Sequence, residues 1–305
     1  MTQPVYKIGT RGSPLALAQA YETRDRLMAA HGLTEHNFEI VVIKTTGDRI
    51  QDRPLGEIGG KGLFTKEIED ALLDGSIDMA VHSMKDMPVK QPAGLLLNCY
   101  LPREDVRDAF VSLKYKSIAD LPIGAKLGSS SLRRRAQILN RRPDINVVEF
   151  RGNVQTRLRK LSEGVADATF LAMAGLIRLD NTHVAQSAID TDELLPAVAQ
   201  GAIGIERRAT DENMKYMLAT IADTETFNRL VAERAFLKAL DGSCQTPIAG
   251  LATLNNDHLT LQGQILRIDG SDQVSGQISG PISDGPALGE KLAKELLEKS
   301  SGNFF

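Results

Sequence analysis

Short apolar runs alternate with longer amphipathic ones along the first two thirds of the chain. "VYKIGT" (5–10) precedes the helix-like "SPLALAQAYETRDRLMAAHG" (13–32). "FEIVVIKTT" (38–46) leads through a glycine-rich stretch into "LFTKEIEDALLDG" (63–75), and "IDMAVHS" (77–83) follows. Strand-length runs separated by helix-length ones predict βα units and a mostly parallel sheet. The pattern also echoes itself. "KIGTRGSPLALAQ" from Lys7 matches "KLGSSSLRRRAQ" from Lys126, and "LDGSIDMAVHSM" from Leu73 matches "SEGVADATFLAM" from Ser162. Same order and same punctuation imply two similar α/β lobes, and two lobes leave a cleft suited to a ligand.

The last third changes character. "LPAVAQGAIGIE" (195–206) reads as a strand or crossover. "TETFNRLVAERAFLKALDG" (224–242) is an amphipathic helix on which Phe227, Leu230, Val231, Leu237 and Leu240 can share a face, with Gly242 placed to cap its C-terminus. "PIAGLATL", "HLTLQGQILRI" and "QVSGQISG" read as strands joined by "NND" and "DGSD" turns, and "PALGEKLAKELLEKS" as a closing helix. The boundaries expected are 1–101 with 202–220 for the first lobe, 102–201 for the second, and 221–305 for a small α+β domain.

Composition narrows the function. The 305 residues are 42% apolar and 25% charged, an ordinary globular balance. Net charge is −3, yet residues 131–160 hold nine basic and two acidic residues. Such focused charge fits a local anion site rather than a general polyanion surface. Acidity overall, five Tyr and no Trp argue against nucleic acid as partner. No apolar run approaches the roughly 20 residues of a membrane span, and the N-terminus lacks a signal pattern. Two cysteines, Cys99 and Cys244, make no disulfide framework, so a reduced, cytoplasmic protein is expected; one Cys99–Cys244 bridge stays open.

Three strand-to-helix turns carry the candidate chemistry. Ser13 is placed as an N-cap with Pro14 as first helical residue and Arg11 beside it. In "GSSSLRRR", Ser131 or a neighbour can cap the next helix beside Arg133 and Arg134. In "RGNVQTRL", Asn153 is flanked by Arg151 and Arg157. Helix N-termini attract anions, and such turns line up at the carboxyl edges of parallel strands. Solvated surface arginine is the bland alternative for each turn taken alone. Arg141 and Arg142, near a helix C-terminus, read as structural.

"HSMKDMP" (82–88) puts Lys85 and Asp86 just past a buried strand, either a catalytic carboxylate or an ordinary turn before Pro88. His82 reads as packed. "EIGGKGLF" holds Lys61 in a glycine-rich loop that is not a P-loop, since Gly62 stands where Ser or Thr is required. The polar stretch before it has the composition of a lid. Cys99 reads as buried, whereas Cys244 in "LDGSCQTP" reads as accessible and open to covalent chemistry. The five histidines show no ligand spacing with either cysteine, so no metal is expected.

Taken together, "TRGSPLALAQ", "GGKGLF", "AVHSMKDMP", "SSSLRRRAQ", "FRGNVQTRL", "LAMAGLIRL", "AQGAIGIE" and "GSCQTP" resemble the porphobilinogen deaminase (hydroxymethylbilane synthase) family from Arg11 to at least Pro247. The resemblance implies two periplasmic-binding-protein-like (type II) lobes with mixed sheets plus a small α+β C-terminal domain. It implies a transferase of tetrapyrrole and heme biosynthesis that joins four porphobilinogen molecules head to tail into hydroxymethylbilane, releasing ammonia each time. It implies a dipyrromethane cofactor held by a thioether to Cys244, a catalytic Asp86 that stabilises the cationic azafulvene intermediate, and a monomer. Lys85, Ser129, Ser131, Arg133, Arg134 and Gln200 match the cofactor ligands. Arg11, Ser13, Gln19, Lys61, Arg151, Arg157 and Arg178 match the substrate ligands, Lys61 on the lid. Every pyrrole carries an acetate and a propionate, so the arginines have carboxylates to hold.

This chain departs from the family pattern at Ser243, where a second glycine is common, and at Ala199, where glycine is common. The tail "SSGNFF" matches nothing in the pattern. The alternative from another class is a bilobed polycarboxylate-binding protein without catalysis, which explains lobes and arginines but not an accessible cysteine. An RNA binder and a cysteine hydrolase explain less.

Overall fold

A computed structural model describes residues 5–49, 64–242, 246–300 and 304. The chain runs β1 (Tyr6–Thr10), α1 (Pro14–His31), β2 (Phe38–Val42), α2 (Thr46–Arg49), α3 (Lys66–Leu73), β3 (Met79–Ser83) and β4 (Leu95–Tyr100). It continues through β5 (Asp108–Ser112), β6 (Lys126–Gly128), α4 (Leu132–Arg141), β7 (Asn146–Val148), α5 (Val154–Ser162), β8 (Ala168–Ala172), α6 (Met173–Arg178) and β9 (Ser187–Ala188). It closes with β10 (Ile203–Arg208), α7 (Glu212–Ala219), α8 (Thr224–Ala239), β11 (Ile248–Asn255), β12 (His258–Leu266), β13 (Gln273–Pro281) and α9 (Gly285–Lys299). Two compact units emerge, residues 1–104 with 201–227 and residues 105–200 with 228–305.

The mixed α/β class expected from the sequence is what the sheets display. One five-stranded sheet has the order β2-β1-β3-β10-β4, a second β7-β6-β8-β5-β9, and a three-stranded sheet β11-β12-β13. In each large sheet the fourth strand, β10 or β5, runs antiparallel to its neighbours. The βα alternation predicts the parallel strands. It does not reveal the antiparallel one, because β10 returns to the first sheet only after the intervening residues 105–200.

Strand alternation sorts the cores. On β3, Met79 and Val81 join Ile8, Leu27, Ile203 and Ile205 on one face, while Ala80 joins Ile68, Leu72 and Ile77 on the other. On β5, Phe110 packs with Leu127, Ile138 and Phe170, and Ala109 and Val111 with Phe150 and Leu176. Period-two alternation therefore puts Asp108 on the Phe110 face, toward α4. The polar stretch after β2 begins as the short helix α2 rather than as loop; residues 50–63 lie outside the described residues.

Two local expectations change. Phe227 is 39% exposed against the Tyr100 ring, and Phe236 fills the buried centre of α8 with Leu230, Ala232 and Leu240. The left-handed residue ending α8 is Asp241 (φ 49°), with Gly242 N–H donating to Leu237 O and Asp241 N–H to Lys238 O. Gly242 is needed for room instead, since a Cβ there would stand 2.5 Å from both Leu237 and Ile248 side-chain carbons.

Ala199 also sits in the left-handed region (φ 61°), followed by Gly201 (φ 88°). Its N–H donates to Glu233 Oε2 at 2.7 Å, and Glu233 Oε1 accepts from Ala252 N–H at 2.8 Å. A buried carboxylate thus holds an alanine where glycine costs less. Ala199→Gly should leave stability within about 1 kcal/mol, strain relief offsetting unfolded-state entropy. Ala199→Val should lose at least about 2 kcal/mol through strain and overpacking. Urea unfolding compares the two; a tolerated valine contradicts the strain.

Candidate anion site

In the first unit β1 and β3 run parallel, Gly9 beside Ala80, so their carboxyl ends share one edge. There Ser13 caps α1, its Oγ accepting from Ala16 N–H at 3.3 Å, and Pro14 opens the helix. Arg11 stacks on the Phe64 ring, 4.2 Å from its centroid. Buried Gln19 reaches from α1 to β3, its Oε1 accepting from Ser83 Oγ at 2.9 Å. The next residues form a single 3-10 turn, Met84–Asp86, which leaves Lys85 half-buried and Asp86 exposed. That turn is fixed from below: Met84 N–H donates to Ala202 O, and only a glycine at 204 leaves space for the Met84 side chain.

In the second unit β6 lies between parallel β7 and β8, with Gly128 beside both Val148 and Thr169. Three carboxyl ends therefore meet at one edge. Ser131 caps α4 by accepting from Arg134 N–H, and buried Ser129 Oγ accepts from Ser131 N–H at 3.3 Å. Asn153 caps α5, its Oδ1 accepting from Thr156 N–H at 2.9 Å. Arg151 precedes that cap. Arg157 lies in the first turn of α5, its Nε donating to Gly152 O. Arg178 ends α6, which follows β8 directly.

Arg133 and Arg134 do not extend into solvent. Both are buried and converge on Asp108, which is fully buried at the start of β5. Arg133 donates to Asp108 Oδ2 at 2.7 Å and to Leu195 O at 2.7 Å. Arg134 donates to Asp108 Oδ1 at 2.6 Å and to Phe170 O at 3.0 Å. Gln200 Nε2 adds a bond to Asp108 Oδ1 at 3.0 Å and another to Val106 O at 2.7 Å. Burial opposes ionisation of Asp108, but Arg133 and Arg134 hold its carboxyl well below the usual carboxylate range. Burial lowers Arg133 from its ordinary value, Asp108 resisting and Arg134 adding to the fall. Burial, then the Arg134 charge, push Arg157 down to about 10 against the pull of Glu149.

Two buried guanidiniums share one carboxylate, so a positive charge is left over. Among the described residues the Nε atoms of Arg133, Arg134 and Arg135 are buried without a hydrogen-bond partner. Leftover charge and orphaned donors both fit an anion with planar oxygens, a carboxylate or phosphate. Arg141 and Arg142 are spent elsewhere. Arg141 donates to Asp192 O, and Arg142 donates to Asp144, Ile118 O and Leu121 O.

Asp108 is the residue that sequence reasoning missed. Its signal was an acidic residue opening an otherwise apolar strand, "DAFVS", every position of which is buried. A second buried polar cluster lies in the first unit. His82 Nε2 lies 3.2 Å from Glu206 Oε2 between β3 and β10, so His82 is packed as expected. Burial, then the neighbouring Glu206, raise the Glu69 carboxyl above its ordinary value. Cys99 is buried and its thiol is pushed up to about 12 by burial. Cys244 and Lys61 lie outside the described residues. Among the described residues no group of three or more His, Cys, Asp or Glu side chains could hold a metal ion, and no helix is long and apolar enough to cross a membrane.

Residues 6–216 match the family model described as porphobilinogen deaminase, dipyrromethane cofactor binding domain, and residues 227–298 match the porphobilinogen deaminase C-terminal domain. The chain is 66% identical over 299 residues to a porphobilinogen deaminase of Paracoccus denitrificans (strain Pd 1222), covering 98% of this chain and 96% of the relative. Among solved structures it is similar to the periplasmic VFT2 domain of Bordetella pertussis BvgS, with TM-score 0.43 and 16% identity over 76% of this chain and 93% of that one. It is also similar to the probable amino-acid ABC transporter extracellular-binding protein YtmK of Bacillus subtilis, with TM-score 0.42 and 14% identity over 76% and 97%.

The raised Glu69 carboxyl has a signed consequence. Its contribution to stability is fully present below about pH 4.3, where the carboxyl is protonated folded or unfolded. That contribution is lost as pH rises through the raised folded value. Glu69→Gln should therefore gain on the unaltered protein as pH climbs from 4 to 7.5. Melting temperatures at the two ends check this; a difference independent of pH contradicts the assignment.

Proposed function

The chain belongs to the porphobilinogen deaminase family, and we propose that it performs that family's reaction through the residues placed above. Four porphobilinogen molecules are joined head to tail into hydroxymethylbilane. Each addition forms one carbon–carbon bond, breaks one carbon–nitrogen bond and releases ammonia, while a pyrrole ring carbon loses a proton; water then breaks the bond between the four added rings and the primer, giving its hydroxyl to the product and its proton to the primer's ring carbon. The observation that carries this reading is the match of residues 6–216 to the dipyrromethane cofactor-binding domain, within which buried Arg133 and Arg134 share one carboxylate. The polycarboxylate-binding alternative leaves that match unexplained.

When bound, the dipyrromethane supplies the ring carbon at which chain growth starts and the acetate and propionate groups by which it is held. Cys244 is the proposed attachment point, through a thioether. Arg133 and Arg134 would hold cofactor carboxylates with their leftover charge, assisted by Lys85, Ser129 and Ser131. Gln200 donates to Asp108 and would act by steadying it. Arg11, Ser13, Gln19, Arg151, Arg157 and Arg178 are proposed to receive the substrate's carboxylates, as is Lys61, which lies outside the described residues. A cation with few neutralising neighbours, as Arg157 is, gains most from an arriving anion.

Asp86 is the proposed catalytic group. Its turn is fixed by β3 and β10 while its carboxylate remains open to solvent. A carboxylate there can stabilise the positive charge that develops on the substrate as ammonia leaves, and can then take up the proton the ring gives back. A cytoplasmic monomer without membrane or nucleic-acid partner is part of the proposal, as is the division into two lobes and a small domain of residues 221–305. Net charge −3 supports the exclusion of nucleic acid.

Intact mass of the purified chain, with peptide mapping, tests the attachment. Two linked pyrrole units on Cys244, absent from Cys244→Ser, are expected. Cys99 serves as an internal control, since its raised thiol should resist alkylation until the chain unfolds. A readily alkylated Cys244 that porphobilinogen cannot load would leave the anion-binding alternative in its place. Asp86→Ala should fold and keep the added mass while losing at least about a thousandfold in kcat, the scale of a positioned acid–base group; near-normal turnover would remove Asp86 from the chemistry.

A further inference from the structure

We infer that Asp108 is a positioning residue which pre-orders Arg133 and Arg134 before any cofactor arrives, so that each arginine meets a cofactor carboxylate through its Nε–H edge. The inference rests on the reading that these two arginines hold the cofactor.

The geometry fixes each guanidinium at two points. Asp108 gives one oxygen to each arginine, Oδ2 to Arg133 and Oδ1 to Arg134. The second point is a backbone carbonyl, Leu195 O for Arg133 and Phe170 O for Arg134. Two acceptors at separate Nη atoms set the plane of the group as well as its position. The acceptors are themselves fixed. Asp108 sits opposite Ala172 in the β5–β8 ladder, one register step from where β8 hands over to α6. Phe170 belongs to the same ladder. Leu195 is held from both sides by Gln137, whose Nε2 donates to Leu195 O and whose Oε1 accepts from Leu195 N–H. Gln200 steadies Asp108 Oδ1 and Val106 O together.

Each Nη keeps one further N–H, but the Nε–H groups are the donors buried without any partner among the described residues. A buried donor left unpaired is costly unless something arrives to accept from it. A ligand carboxylate accepting from them would meet donors already ordered, which lose little rotamer freedom on binding. Replacement by lysine would lose this edge altogether, since an ammonium has no second nitrogen to anchor. A simple counter-charge would need none of this geometry; a carboxylate anywhere nearby would serve.

That difference decides the test. Asp108→Glu keeps the charge and moves it by one methylene. The expected result is a folded chain whose cofactor-loaded fraction, read by intact mass, falls at least tenfold. Normal loading with unchanged kcat and KM per loaded molecule overturns the positioning role and leaves a counter-charge. Should Asp108→Glu fail to fold, the same question is put to the full-length chain with Cys244→Ser, which cannot carry the cofactor. Its Arg133 and Arg134 Nε–H resonances, assigned through Arg133→Lys and Arg134→Lys, should be resolved and slowly exchanging with no ligand present. Averaged resonances that become resolved only in the loaded, unaltered protein overturn the pre-ordering alone. Resolved resonances with the same shifts in the loaded protein overturn instead the assignment of these arginines to the cofactor.

Discussion

Two guanidiniums buried against one carboxylate set the terms for the second unit. Burying a charge is tolerated when it is paired and hydrogen-bonded, and Asp108 pairs two at once while β5, β8 and the segment around Leu195 supply the remaining acceptors. The arrangement is stable as a network yet one negative charge short. That shortage is the physical link between packing and binding here. A fully neutral cluster would hold the fold and attract nothing, and an unpaired pair of arginines would attract anions but not stay buried.

The parallel strands explain why the other polar residues gather where they do. β1 and β3 end at one edge of the first sheet, and β6, β7 and β8 at one edge of the second. β1, β6 and β7 lead to capped helices, β3 to a tight turn and β8 straight into α6, so serine, asparagine and arginine side chains collect there without any long-range device. The chemistry proposed for Asp86 uses the same logic with a different finish. A single 3-10 turn, seated over Gly204, leaves the carboxylate outside while the strand beneath it is buried.

Much of this was legible in the sequence because it is local. N-caps at Ser13, Ser131 and Asn153 follow from hydroxyl or amide residues ahead of helical patterns, and the structure has all three. Internal echo marked the two α/β halves. What stayed hidden depends on contacts between distant segments. Arg133 and Arg134 read as a ligand-facing run, and nothing within ten residues of them discloses that Asp108 and Leu195 O share their guanidiniums. The bond from the Gln200 amide to Asp108 stayed hidden for the same reason. The helix end misled more narrowly: Gly242 has the composition of a cap, but crowding from Leu237 and Ile248 is what requires glycine there, and Asp241 takes the left-handed turn.

The return of β10 to the first sheet has a consequence for how the chain is made. β10 lies between β3 and β4, and so separates strands that are near neighbours in sequence. As the polypeptide leaves the ribosome, β1 to β4 emerge roughly a hundred residues before the strand that joins β3 to β4. Until then β3 exposes an edge and β4 has no strand partner, and unpaired edges invite association between chains. The five strands of the second sheet, by contrast, are contiguous from residue 108 to 188. The later segment can therefore complete its sheet first, and the amino-terminal strands wait for it. Slow acquisition of the long-range pairing follows from loop closure over that distance, which makes the first-synthesised part of this protein the last to mature.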